Sequence, residues 1–127
     1  MRDELKKLLE NSYSPYSKYP VAAVLTTKDG YMFKGVNVEN ASYGATICAE
    51  RNAINAAITK GYKKGDFEAL YVMVKGSTAA FPCFICRQTI AEFFDGDEKL
   101  VLSNDSKSIT YKMSEILTHP FTNEDLK

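Results

Sequence analysis

The run ICAER places Cys48 two residues before Glu50, and the later run PCFICRQ supplies Cys83 and Cys86 behind Pro82. Thiolates bind zinc, and three of them with no fourth candidate leave one tetrahedral position open to water. That is the layout of a catalytic rather than a structural zinc site. The single histidine, His119 in THPF, lies far along the chain and reads as an ordinary loop residue. Three cysteines cannot all pair as disulfides, and a reducing compartment disfavours such bonds in any case. A lone cysteine would read best as a small buried hydrophobe; the spacing here favours the metal.

Such a site dictates local structure. Cys83 and Cys86, three residues apart, share one face of a helix, and Pro82 suits its start. Helix N-termini offer unpaired N–H groups and a positive dipole end, which favour the thiolate. A regular helix would rotate Glu50 about 200° from Cys48. Cys48 must therefore lie at the extreme start of its helix for both side chains to enter one cavity, where Glu50 takes a proton from metal-bound water and passes it to a substrate. Three thiolates outweigh the charge of a dication, so a positive group is required nearby. Arg51 is the candidate, although alone it reads equally well as a solvated helix arginine. Arg87 and Gln88 are further donors that read at least as well as surface residues.

The elements that must position these groups follow from periodicity. Leu5, Leu8 and Leu9 mark an amphipathic helix from Asp3 to Tyr13, and Pro15 and Pro20 punctuate a loop. VAAVLTT, the turn Lys28-Asp29-Gly30 and YMFKGVNV predict a hairpin. The alanine-rich stretch from Ile47 to Tyr62, with Gly61 as its C-terminal cap, predicts a second helix. ALYVMV follows as a third strand, CFICRQTIAEFF as a third helix, KLVLSN and SITYK as two strands, and a short helix lies near Met113 to Leu117. The order α-β-β-α-β-α-β-β predicts a layered α/β sandwich around a sheet of about five strands.

Together YSPYSKY, the Gly30 turn, GVNVENASYG, ICAER, PCFICRQ and ILTHPFTNEDL cover nearly the whole chain. In these motifs it resembles the cytidine deaminase family, the small zinc-dependent enzymes that act on free nucleosides. Cys-Ala-Glu with Pro-Cys-x-x-Cys marks the wider deaminase superfamily, and NVENASY adds the nucleoside-specific part. The resemblance implies a three-layer α/β/α sandwich around a mixed five-stranded sheet and one zinc ion per subunit held by Cys48, Cys83 and Cys86. It implies attack of zinc-bound hydroxide on carbon 4 of cytidine or 2′-deoxycytidine, with Glu50 protonating the ring nitrogen and then the departing amine. Asn37 and Glu39, two apart in a predicted strand, project from one face, and the resemblance assigns them to the sugar. Glu39 also discourages a phosphate, favouring nucleosides over nucleotides. Tyr19 stands where the family commonly carries the base-stacking Phe, and Ala49 joins the substrate-binding set. A homotetramer is implied, in which neighbouring subunits supply the region of Ala41 and Tyr43 and the C-terminal aromatic Phe121. Two residues depart from the pattern: Ala22 replaces a common glycine, and Phe84 follows the first cysteine of PCFIC, where its bulk is expected to narrow the pocket or shift substrate preference.

The 127 residues, 45% hydrophobic and 25% charged, fit one globular domain spanning 1–127. Sixteen basic residues balance sixteen acidic ones, so no net field holds a polyanion, and no lysine-arginine cluster with interleaved aromatics argues for polynucleotide editing. The opening MRDELKKLLEN lacks the apolar stretch of a secretory signal, and no run approaches the roughly 18 apolar residues of a membrane span. No nucleic-acid or membrane partner is expected, and a cytoplasmic address with a role in pyrimidine salvage is. Two rival readings are a deaminase of a related aminopyrimidine, such as a modified cytidine or a blasticidin-like nucleoside, and a zinc-stabilised module without catalysis.

Overall fold

A computed structural model describes residues 1–127. Its helices are α1 (Arg2–Leu9), α2 (Ala49–Lys60) and α3 (Phe84–Phe93); its strands are β1 (Val21–Thr27), β2 (Met32–Val36), β3 (Phe67–Val74), β4 (Lys99–Ser103) and β5 (Ser108–Lys112). The strands form one sheet in the order β2-β1-β3-β4-β5. It is mixed, because β3 and β4 run parallel while every other pair is antiparallel.

Strand alternation explains the layers. Ala23, Leu25, Leu70 and Val72 face a core shared with Ala53, Ile54 and Ala57 of α2 and Ile90 of α3. Ala22, Val24 and Met73 face the opposite way and meet Leu5 and Leu9 of α1. Helices therefore cover both faces, as a sheet apolar on both sides requires. Ala22 is fully buried on the α1 side, so the methyl that replaces glycine there is accommodated. No helix is long and apolar enough to cross a membrane.

The predicted order of elements holds, with shorter ends. The first helix stops at Leu9 rather than Tyr13, and β2 stops at Val36, so Asn37 and Glu39 lie just beyond the strand. Val38 keeps only isolated bridges to Tyr13 and Ile47. The final predicted helix is a 3-10 turn, Met113–Ile116, and a second one, Asn123–Leu126, was not foreshadowed by any periodicity.

One contact fixes where α2 begins. A Cβ on Gly35 would stand 2.3 Å from the Ala49 carbonyl oxygen and 2.7 Å from the Ala53 nitrogen, both backbone atoms. β2 and α2 thus touch main chain to main chain, and Asn52 Nδ2 donates to the Val36 carbonyl at 2.8 Å. Gly35→Ala is expected to destabilise the chain by about 1–3 kcal/mol. The urea midpoint measures it, falling without a change in slope; an unshifted midpoint would show that the helix yields freely.

Candidate active site

Cys48 is the N-cap of α2 and Cys83 the N-cap of α3, both with extended backbone and neither using its side chain to cap the helix. Their sulfurs are left free, at two converging helix N-termini. Cys48 Sγ lies 3.7 Å from Cys83 Sγ, which lies 3.5 Å from Cys86 Sγ. All three sulfurs fall within 4.8 Å of one another. Zinc–sulfur bonds near 2.3 Å in a tetrahedron set sulfur–sulfur separations of about 3.8 Å, so the donor set fits the ion with little adjustment. Arg51 Nη2 lies 3.8 Å from Cys48 Sγ and 3.4 Å from the Thr46 carbonyl oxygen. Its Nε is buried without a partner. The two Nη2 contacts, rather than the unpartnered Nε, place the guanidinium as the positive charge that a trithiolate site requires.

A hydrogen bond from Cys86 leads in drawing the Cys48 thiol down to about 5, with Arg51 and Cys83 assisting against burial. The Cys86 thiol, as donor and buried, is pushed up. Zinc needs all three as thiolates, so its uptake releases protons.

Glu50, only 5% exposed, shares with Cys48, Ala49 and Cys83 the lining of a cavity of about 300 Å³. Val21 comes to that cavity from β1, Tyr19 from the loop before it, Asn37 and Glu39 from the segment after β2, Val72 and Val74 from β3, and Ala80 and Phe81 from the loop before α3. In the metal-free chain burial pushes the Glu50 carboxyl up to about 7, its own N–H opposing and the Cys48 charge adding. Its ordinary value is 4.5, so the folded chain holds this proton longer than the unfolded one. The resulting stability is fully present below about pH 4.5 and is lost as pH rises through about 7. Metal-free Glu50→Gln, which cannot ionise, should therefore exceed the parent in stability at about pH 8 by on the order of 3 kcal/mol, with no difference at about pH 4. Urea unfolding at the two pH values checks this, and parity at the higher one would contradict it.

The family model for the cytidine and deoxycytidylate deaminase zinc-binding region matches residues 1–103. A cytidine deaminase of Sporosarcina psychrophila is 40% identical over 126 residues, covering 97% of this chain and 90% of that protein. The chain belongs to the cytidine deaminase family. A cytidine deaminase of Halalkalibacterium halodurans is 42% identical over 92% of this chain and 88% of its own. The crystal structure of the Burkholderia pseudomallei cytidine deaminase superposes with a TM-score of 0.88 at 38% identity, covering 94% of each chain. Zinc is thus the ion of this family's site, and Cys48, Cys83 and Cys86 are the group positioned to bind it.

Other residues singled out by the cytidine deaminase resemblance are distributed unevenly. Asn37 is 8% exposed; its Oδ1 accepts from the Val21 N–H at 2.9 Å and from the Ser12 hydroxyl, and its Nδ2 donates to the Tyr19 carbonyl at 2.9 Å. Glu39 Oε1 accepts from the N–H groups of Tyr16 and Ser17 at 3.0 and 3.1 Å, and its Oε2 accepts from the Ser17 hydroxyl. The Ser17 hydroxyl oxygen in turn accepts from the Tyr19 N–H at 3.0 Å. Both side chains therefore hold the loop of residues 12–21 over the cavity they line. Hydrogen bonding by Ser17 and the neighbouring N–H groups keeps the Glu39 carboxyl below the usual range. Tyr19 is half-exposed, which leaves its hydroxyl free to reach water.

Ala41, Tyr43 and Phe121 are exposed and do not line this cavity; Tyr43 instead packs edge-on against Tyr16. Gln88 Nε2 donates to the Phe121 carbonyl at 2.7 Å, fixing the C-terminal segment rather than the sulfurs. Phe84 does not narrow the pocket. It is 81% exposed, does not line the cavity and lies under the Arg87 guanidinium at 4.7 Å, because the first helical residue after the Cys83 cap turns away from the sulfurs. Ser17, Thr46 and Phe81 line the cavity without having been singled out from the sequence. Each stands two residues from a marked position, Tyr19, Cys48 and Cys83, and that proximity is the only signal they carry.

Proposed function

We propose that the chain hydrolyses cytidine and 2′-deoxycytidine to uridine and 2′-deoxyuridine with release of ammonia, Glu50 acting as proton shuttle. The observation that carries this reading is the burial of Glu50 in a cavity also lined by Cys48 and Cys83, two of the three clustered sulfurs. Zinc, when bound there, supplies a Lewis acid that lowers the pKa of water and so provides a nucleophile at neutral pH.

Glu50 accepts a proton from the attacking water and delivers it to ring nitrogen N3; it then takes the remaining proton of the hydroxyl added at carbon 4 and passes it to the amine, which leaves as ammonia while the carbonyl forms. Ala49 is the first residue of α2, so its N–H has no partner within the helix and serves as a donor to the base. Tyr19 forms an aromatic wall, while Asn37 and Glu39 mark the sugar end, with free acceptor or donor capacity beyond the loop they hold. A carboxylate at that end disfavours a phosphate.

The exposure of Ala41, Tyr43 and Phe121 outside their own chain's cavity supports a homotetramer in which they complete a neighbour's pocket. A single five-stranded sheet supports one domain over 1–127, and the nucleoside chemistry supports a cytoplasmic role in pyrimidine salvage. Cytidine turnover by zinc-replete protein, followed by ultraviolet change and ammonia release with zinc measured in the same sample, tests the reading. One zinc per chain with steady release of uridine is expected; faster turnover of a different amine would demote cytidine.

A further inference from the structure

We propose that Phe81 is a specificity-determining residue that reads the substituent at position 5 of the pyrimidine, an inference that rests on the deaminase reading above. Phe81 lines the cavity two residues before Cys83, and so stands at its sulfur end. Its ring, although 46% exposed, has two fixed neighbours. Tyr111 of β5 lies 5.2 Å away between centroids, and the Arg87 guanidinium lies 5.8 Å from the same ring. Arg87 is itself fixed, since its Nε donates to the Pro82 carbonyl at 2.8 Å and its guanidinium covers Phe84 at 4.7 Å. Phe81 is thus one rung of a ladder, Tyr111–Phe81–Arg87–Phe84, built from cation–π and ring–ring contacts. Moving it out of the cavity would break contacts on two elements at once.

The chemistry follows from ring geometry. Carbon 4 must face the sulfurs, and its ring neighbours are N3 and C5. Because N3 and the exocyclic amine must meet Glu50 to receive protons, C5 is left to the wall made by Val72, Val74, Ala80 and Phe81. None of these side chains carries a hydrogen-bond donor or acceptor. The wall accepts hydrogen or methyl at C5 and strands a hydroxyl, which exchanges its water for no partner.

The test compares kcat/KM for 5-methylcytidine and 5-hydroxymethylcytidine on the zinc-loaded enzyme. A preference for the methyl compound of about tenfold or more is expected, and the Kd values of the products 5-methyluridine and 5-hydroxymethyluridine should differ in the same sense. Phe81→Ser should compress both ratios toward unity, Phe81→Leu should retain most of them, and Tyr111→Leu, outside the cavity, should lower them part-way by freeing the ring. Should Phe81→Ser fail to fold, Phe81→Thr makes the same comparison. A wild-type preference below about twofold, or ratios that do not move in the serine or threonine variant, would overturn the proposal. Absence of cytidine turnover in the wild type would instead remove the deaminase reading, with the product-binding ratios still deciding the role of Phe81.

Discussion

Glu50→Gln is expected to lower kcat for cytidine by about 10²- to 10⁴-fold while the chain keeps its fold and its zinc. Glutamine preserves the size and shape of a side chain that is 5% exposed, so the cavity is not emptied. What it removes is the transferable proton. The one other carboxylate that lines the cavity, Glu39, is engaged by the N–H groups of Tyr16 and Ser17 and by the Ser17 hydroxyl. A loss confined to KM would indicate a positioning role, because an interaction made in both ground and transition states affects binding alone. A zinc-stabilised module without catalysis would register no change, and near-normal turnover in this variant would end the proposed proton transfer. Stoichiometric zinc and an unchanged circular dichroism spectrum, measured on the same preparation, separate loss of chemistry from loss of structure.

Cys83→Ala should have the other large effect, reducing zinc affinity by at least about 10³-fold and abolishing turnover in dialysed protein. Cys83 is the exposed member of the trio, so its truncation leaves no cavity in the core, unlike that of the fully buried Cys86. Ile85→Ala, two residues along on an exposed position of α3, is the control and should bind one zinc per chain. Competition with a chelator of known affinity measures both. Retention of stoichiometric zinc by Cys83→Ala under that competition would show that the sulfur is not a ligand.

The metal cluster and Glu50 were legible in the sequence because their signal is local. A two-residue offset between Cys48 and Glu50 is compatible with one cavity only if the cysteine is a helix cap, and Cys48 is the N-cap of α2. The order of elements along the chain was legible for the same reason, since each carries its own period, whereas the order β2-β1-β3-β4-β5 across the sheet depends on pairings no period encodes. The roles of Asn37 and Glu39 were only half legible. Their spacing identified a shared face, but their partners Ser12, Tyr16, Ser17, Tyr19 and Val21 lie 16 to 25 residues away, and no local pattern announces a side chain that holds a distant loop. Phe84 misled because its type was readable and its direction was not: one helical step past the Cys83 cap decides whether it enters the cavity or faces outward. Phe81 was missed because a phenylalanine in an irregular loop has no period, and only packing on Tyr111 and Arg87 gives it a fixed place.

The bare contact at Gly35 makes the margin of the sheet a mechanical input to the chemistry. β2 is an edge strand, and nothing compressible separates it from the first turn of α2, which carries Glu50. A displacement imposed on that margin, by a strand annealing to its open side or by a peptide grafted into the neighbouring hairpin, is expected to press directly on the backbone of Ala49 and Ala53, which flank Glu50 in α2. Fusions and surface tethers for this enzyme therefore belong away from β2 and, because Tyr111 braces Phe81, away from β5 as well.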